Sequence, residues 1–228
     1  MEEHYKPLIR QSHYRFVTGL KFLSDVFDNA ELYRFQRHTE LSKLISENTY
    51  VEFLEKFGEE TFKEFNTIEL FYKYMLIHSI FISAYSAFES QLTAIAQLLE
   101  KYVPSQKKIK DFKRRRQSLI EKIREYLYSA HQLISADKDR TLWNEIETFR
   151  LVRNLIVHDA ARLSSKHPQR QQLMELFVTY NVVVDHTTSE FYIREQKFLS
   201  DFIDKIKAYS WDIVKEVAPV PPQPTIQP

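Results

Sequence analysis

The chain has 228 residues, 43% of them apolar and 14% aromatic, a formal net charge of +1, two glycines and no cysteine. That length supports one substantial core or two small ones, and the composition excludes a disordered chain. Lack of cysteine rules out disulfides, thiolate nucleophiles and Cys-ligated zinc, and the near-neutral charge leaves any attraction to nucleic acid to a local patch.

Sheets and tight turns draw on glycine, so two glycines over this length point to an all-α helical bundle. The opening "MEEHYKPLIR" holds no apolar segment of the signal-peptide kind, which with the missing cysteines fits a cytoplasmic protein. "FVTGLKFLSDVFDNAELYRFQRHTELSKLI" sets apolar residues three and four apart and reads as an amphipathic helix pair. In "KFGEETF" Gly58 is expected to take the left-handed conformation that ends a helix, with Glu59 and Glu60 in the next first turn. Residues 60–103 then read as one long helix closed by Pro104. Its segment "YMLIHSIFISAYSAF", 74–88, is the most membrane-like in the chain. Its 15 residues, His78 among them, fall short of the ~20 that a spanning helix needs. A buried core helix is expected instead, with no membrane partner. Ser83, Ala84, Ser86, Ala87 and Ser90 are small enough to admit a close neighbour, which places this helix at the centre of the bundle.

A basic helix is expected over 106–134, where "KKIKDFKRRR" supplies Lys107, Lys108, Lys110, Lys113, Arg114, Arg115 and Arg116. Four consecutive cations encircle a helix, so Lys113, Arg114, Arg115 and Arg116 read either as a solvated helix end or as contacts to a phosphate backbone. "DKDRTLWNEIETFRLVRNLIVHDAARL" supplies the next helix, with Asp137 or Asp139 as its N-cap. "NVVVDHTTSEFYI", 181–193, has two β-favouring runs around a polar turn and predicts a short β-hairpin before the last helix at 196–216. The organisation expected is N-terminal helices, 1–67, packed on a helical domain, 68–217, with a flexible tail, 218–228, holding five of the eight prolines.

There is no Gly-rich phosphate loop, no HExxH, no nucleophile elbow and no histidine cluster at metal-ligand spacing, so neither a cofactor nor a metal is expected. What stands out is "RLVRNLIVHDAARL". On a regular helix Arg153 and His158 lie about 140° apart and about 7.5 Å along the axis, able to flank one groove. Asn154 and His158, four apart, share a face, and Arg150 extends that polar stripe by one turn. A polar stripe among aliphatic residues costs stability unless its groups are paired or used.

An arginine, a polar residue and a histidine a few positions on, late in an all-helical bundle, resemble the motif of the HEPN superfamily. Arginine and histidine occur at comparable spacing at Arg124 and His131 and at Arg162 and His167 too, but only "RNLIVHDA" has the polar residue directly after the arginine and the aliphatic filling. "SAYSAFESQLTAI", 83–95, resembles the long central helix of that family, and the likeness covers about 68–216. The resemblance implies a metal-independent endoribonuclease of a toxin–antitoxin or defence system. In that reading Arg153 holds the scissile phosphate, His158 moves protons, and Asn154 positions the imidazole or the substrate, while Arg150 and Lys113 to Arg116 guide RNA. A ribose 2′-hydroxyl attacks, leaving a 2′,3′-cyclic phosphate. One histidine does not serve as base and acid at once, so the implied enzyme is a homodimer with one motif per chain, alongside an antitoxin or other defence-system partner. Where one branch carries a modified tyrosine two residues after the histidine, this chain has Ala160, which puts control by that modification in doubt. Two other classes fit the same residues: a catalytically inactive HEPN-like module binding RNA, nucleotide or protein, and a plain helical scaffold.

Overall fold

The computed structural model describes residues 4–68, 72–112 and 117–219. Among them are seven α-helices and one two-stranded antiparallel sheet, so the chain is all-α, as its glycine poverty implies. The helices are α1 (Tyr5–Ser46), α2 (Tyr50–Thr67), α3 (Lys73–Tyr102), α4 (Leu119–His131), α5 (Thr141–His158), α6 (Arg170–Thr179) and α7 (Gln196–Val217). Among the described residues no helix is long and apolar enough to cross a membrane.

Several boundaries depart from the periodicity. The stretch that reads as a helix pair lies in a single 42-residue helix, because no residue in it forces a stop and Gly19 sits there without crowding. Gly58 does take a positive φ, 80°, but its ψ of 164° makes a kink inside α2 and not a helix end. Of the helix expected over 60–103, α2 closes at Thr67 and α3 opens at Lys73, and residues 69–71 between them lie outside the described residues. In place of a basic helix over 106–134 there is a short 3-10 turn, Ile109–Phe112, and α4 starts only at Leu119. Ser118 sets that start: its hydroxyl accepts the Glu121 N–H while the Glu121 carboxylate accepts from Ser118, a reciprocal cap. Thr49 and Glu52 open α2 in the same way. Neither Asp137 nor Asp139 caps α5; Asp137 accepts the Asp139 N–H within the preceding turn. α6 was not signalled by periodicity.

The chain divides into two compact units, one of residues 1–20, 84–151 and 201–228, the other of 21–83 and 152–200. The boundary expected at 67/68 falls inside the second. In the first unit Phe88 is fully buried between Phe16 and Tyr209, and Phe202 stacks on Tyr85 and meets Phe149 with ring centres 5.2 Å apart. Here α3 buries Ala84, Tyr85, Phe88, Leu92, Ile95 and Ala96, while Ser86 and Ser90 face outward. The close-approach surface is therefore made by alanines at helical spacing and not by the serines. Ala218 is buried, and Arg10 donates to its carbonyl and to that of Pro219; the rest of the proline-rich tail lies outside the described residues.

In the second unit the Arg37 guanidinium forks onto Glu64, 2.8 and 2.9 Å away, and ties α1 to α2. The hairpin forms as its sequence predicts: β1 (Val183–Val184) pairs with β2 (Phe191–Tyr192) in register Val183 to Tyr192 and Val184 to Phe191. The Asp185 carboxylate shapes its turn by accepting the N–H groups of Thr187 and Thr188. Phe191 packs on Phe177 of α6, and Phe198 on Tyr180 and Phe81.

Candidate active site at the end of α5

The buried side of α5 is a run at spacing three: Trp143, Ile146, Phe149, Val152 and Leu155, none more than 3% exposed. That spacing drifts around the helix, so the polar residues between them meet different surroundings along its length. Within the first unit, Arg150 stands between two carboxylates, 2.8 Å from Glu147 and 3.8 Å from Glu121 of α4. Burial pushes the Glu147 carboxyl up against the pull of that arginine. Arg150, expected to guide substrate, is thus committed to joining α4 and α5.

Within the second unit, Arg153 and Asn154 are half-buried and His158 is exposed as the last residue of α5. Arg153 Nη1 donates to Asn154 Oδ1 at 3.2 Å. Asn154, expected to position the imidazole or the substrate, here gives one acceptor site of its amide oxygen to the neighbouring guanidinium. Among the described residues the His158 imidazole makes no hydrogen bond. The other two arginine–histidine pairs are absorbed by their surroundings. Arg124 donates to the Ala136 carbonyl at 2.8 Å and lies over Trp143, while His131 Nε2 meets the Tyr126 hydroxyl at 2.8 Å. Arg162 is held by Glu190 at 2.8 Å, and His167 Nδ1 accepts the Gln169 N–H. Lys113, Arg114, Arg115 and Arg116 lie outside the described residues; Lys107, Lys108 and Lys110 before them are exposed.

The backbone beyond His158 is unusual. Ala160 and Ala161 both have positive φ, 50° and 58°, a conformation that costs an alanine about 1–2 kcal/mol each. The hairpin holds them there: Phe191 N–H donates to the Ala161 carbonyl at 2.8 Å, Leu163 N–H to that of Ser189 at 2.9 Å, and Arg162 to Glu190. Strain that the surroundings over-determine is a recurrent mark of functional turns. Sequence reasoning missed this clamp, since no glycine advertises the turn.

Two cavities show what else the sequence concealed. In the first unit a groove of about 820 Å³ is lined by Glu121, Arg124, Glu125, Trp143 and Glu147, among others. In the second a pocket of about 260 Å³ lies against the strained turn, walled by Ile156, Ala160 and Ala161 on one side and Tyr74, His78 and Tyr192 on another. Among the described residues no three His, Asp or Glu side chains are grouped to hold a metal ion. Comparison of the chain with protein-family models, with curated proteins and with solved structures gives no match.

Proposed function

We propose that this protein is a metal-independent endoribonuclease of the HEPN kind, acting in a toxin or defence system. The observation that carries the reading is a contrast among three arginine–histidine pairs. Two are engaged by neighbouring groups, while the third ends on an exposed imidazole beside a strained turn, with its arginine oriented by Asn154. Arg153 binds the scissile phosphate and stabilises the charge that develops on it. The ribose 2′-oxygen attacks phosphorus and passes its proton to one His158 imidazole. The 5′-oxygen leaves and takes a proton from the His158 of a second copy, giving a 2′,3′-cyclic phosphate and a 5′-hydroxyl. Two imidazoles supply base and acid together, so the working form is a homodimer, with an antitoxin or other defence-system protein as the regulating partner.

The test is incubation of purified protein with end-labelled tRNA and mRNA in excess EDTA, wild type beside His158→Ala. Cleavage by wild type alone, with cyclic-phosphate ends, is expected. Cleavage by both proteins, or none by a folded dimer, overturns the assignment. The second reading, a catalytically inactive module that binds RNA or nucleotide, is favoured by the aromatic pocket at the same turn.

A further inference from the structure

The pocket behind the strained turn has a chemistry of its own. At about 260 Å³ it lies below the ~300 Å³ at which pockets for drug-sized ligands begin, so it suits something the size of a base or nucleoside. Its walls are rings: Tyr74 sits edge-on to Tyr192 at 4.8 Å and to His78 at 5.8 Å, and His78 lies 5.9 Å from Phe191. Because these rings already meet edge to face, a flat ligand entering the pocket can stack on one tyrosine face and meet the other ring edge-on, whatever its sequence context.

Two polar features line the same space. His78 is 8% exposed, and its Nε2 has no hydrogen-bond partner among the described residues, a costly state for a buried ring nitrogen. Burial lowers its pKa to about 4, so the ring is neutral at pH 7. Glu190 also lines the pocket. Its Oε1 accepts twice from Arg162 and its Oε2 accepts once, from the Tyr192 hydroxyl, at 2.9 Å. A carboxylate has about four lone-pair sites, so one acceptor on Oε2 remains. Arg162 already neutralises the carboxylate, which disfavours an aromatic cage for a cation and favours a neutral planar ligand with an N–H to give.

We propose that this pocket receives an unstacked purine carrying an exocyclic amino group, stacked on Tyr192 with Tyr74 edge-on to it, its amino group donating a hydrogen bond to Glu190 and a ring edge turned toward His78. The proposal rests on the nuclease reading for its RNA context: a base seated beside Ala160 and Ala161 holds the chain next to the residue that ends α5. It names what that enzyme selects, and the wall residues are binding groups distinct from Arg153 and His158.

Binding is measured by titration calorimetry on full-length His158→Ala, which needs no cleavage, with AMP, GMP, IMP and UMP as probes. IMP lacks the amino group of both other purines. AMP or GMP is expected to bind at least tenfold more tightly than IMP and UMP. Tyr192→Ala is expected to weaken it roughly five- to hundredfold. Glu190→Ala erases the preference over IMP, whereas Arg162→Ala, which breaks the same ion pair but leaves the carboxylate, retains it. Equal binding of all four nucleotides, loss of the preference in both variants, or binding of a trimethyl-lysine peptide in their place overturns the assignment. Selective binding by a protein whose wild type cleaves nothing sinks the nuclease reading and leaves the pocket. Cleavage by a wild type with no nucleotide selectivity does the reverse.

Discussion

The two ends of α5 treat their polar residues in opposite ways. Over its first three turns every ionised group has a partner: Lys205 reaches Glu145 at 2.7 Å, and Glu147 and Glu121 flank Arg150. In its last turn Val157, His158 and the following Asp159 are exposed, and the backbone bends through two left-handed alanines. Charge in the first region is spent on joining helices, since a half-buried ion left alone is expensive. In the last turn it is left accessible on a rigid base. A polar residue at one end is thus a structural fastener, and at the other a candidate for chemistry, although the residue types are alike.

Mutations can break or sharpen that contrast. The largest effect expected is on activity: His158→Ala should reduce RNA cleavage by about 10³-fold, within the range for removal of an acid–base group, and leave the melting temperature unchanged. A large fall in melting temperature would place the imidazole in the fold instead. Arg150→Ala should do the converse. Leaving Glu147 buried and uncompensated costs about 3 kcal/mol, read from urea midpoints, with activity per folded molecule retained.

The second unit holds a buried titratable group of another kind, His78, and pH separates it. Its pKa falls from 6.5 to about 4 on burial, a difference of about 3 kcal/mol. Below pH 6.5 the unfolded chain takes up a proton that folded His78 refuses, so stability should drop as pH falls from 6.5 towards 4 and level off below. His13 and His131, also lowered by burial, add to the same slope. The check is therefore the difference between wild type and His78→Phe, whose urea midpoint should vary less with pH; identical slopes would mean that His78 titrates normally. The smallest effect concerns the turn. Ala161→Gly should stabilise by about 0.5–1 kcal/mol, because glycine takes a positive φ without strain. A destabilised variant would show that the alanine methyl is needed where the pocket wall stands.

Much of the fold was legible from local pattern. Apolar spacing announces the central helix, the run "NVVVDHTTSEFYI" announces the hairpin, and α7 at Gln196–Val217 matches its expected span closely. The starts of α2 and α4 were equally readable in Thr49 with Glu52 and Ser118 with Glu121, a signal that periodicity passes over. The candidate site was legible as a motif, and Asn154 with the aliphatic filling singled out one of three pairs, but spacing counts residues and not their partners. Only packing shows that His131 is taken by Tyr126 and His167 by the Gln169 backbone.

By itself, then, the sequence determined the elements: helical periods, caps and turn chemistry are relations between residues a few positions apart, and such relations are written along the chain. Tertiary structure alone decided the polar outcomes. It set that Arg150 is clasped by Glu121 of α4 as well as by Glu147, and that two alanines take a conformation that neither prefers. Each of those depends on which group arrives from a distant segment, since solvation, ion pairing and strain are set by three-dimensional neighbours and not by order along the chain.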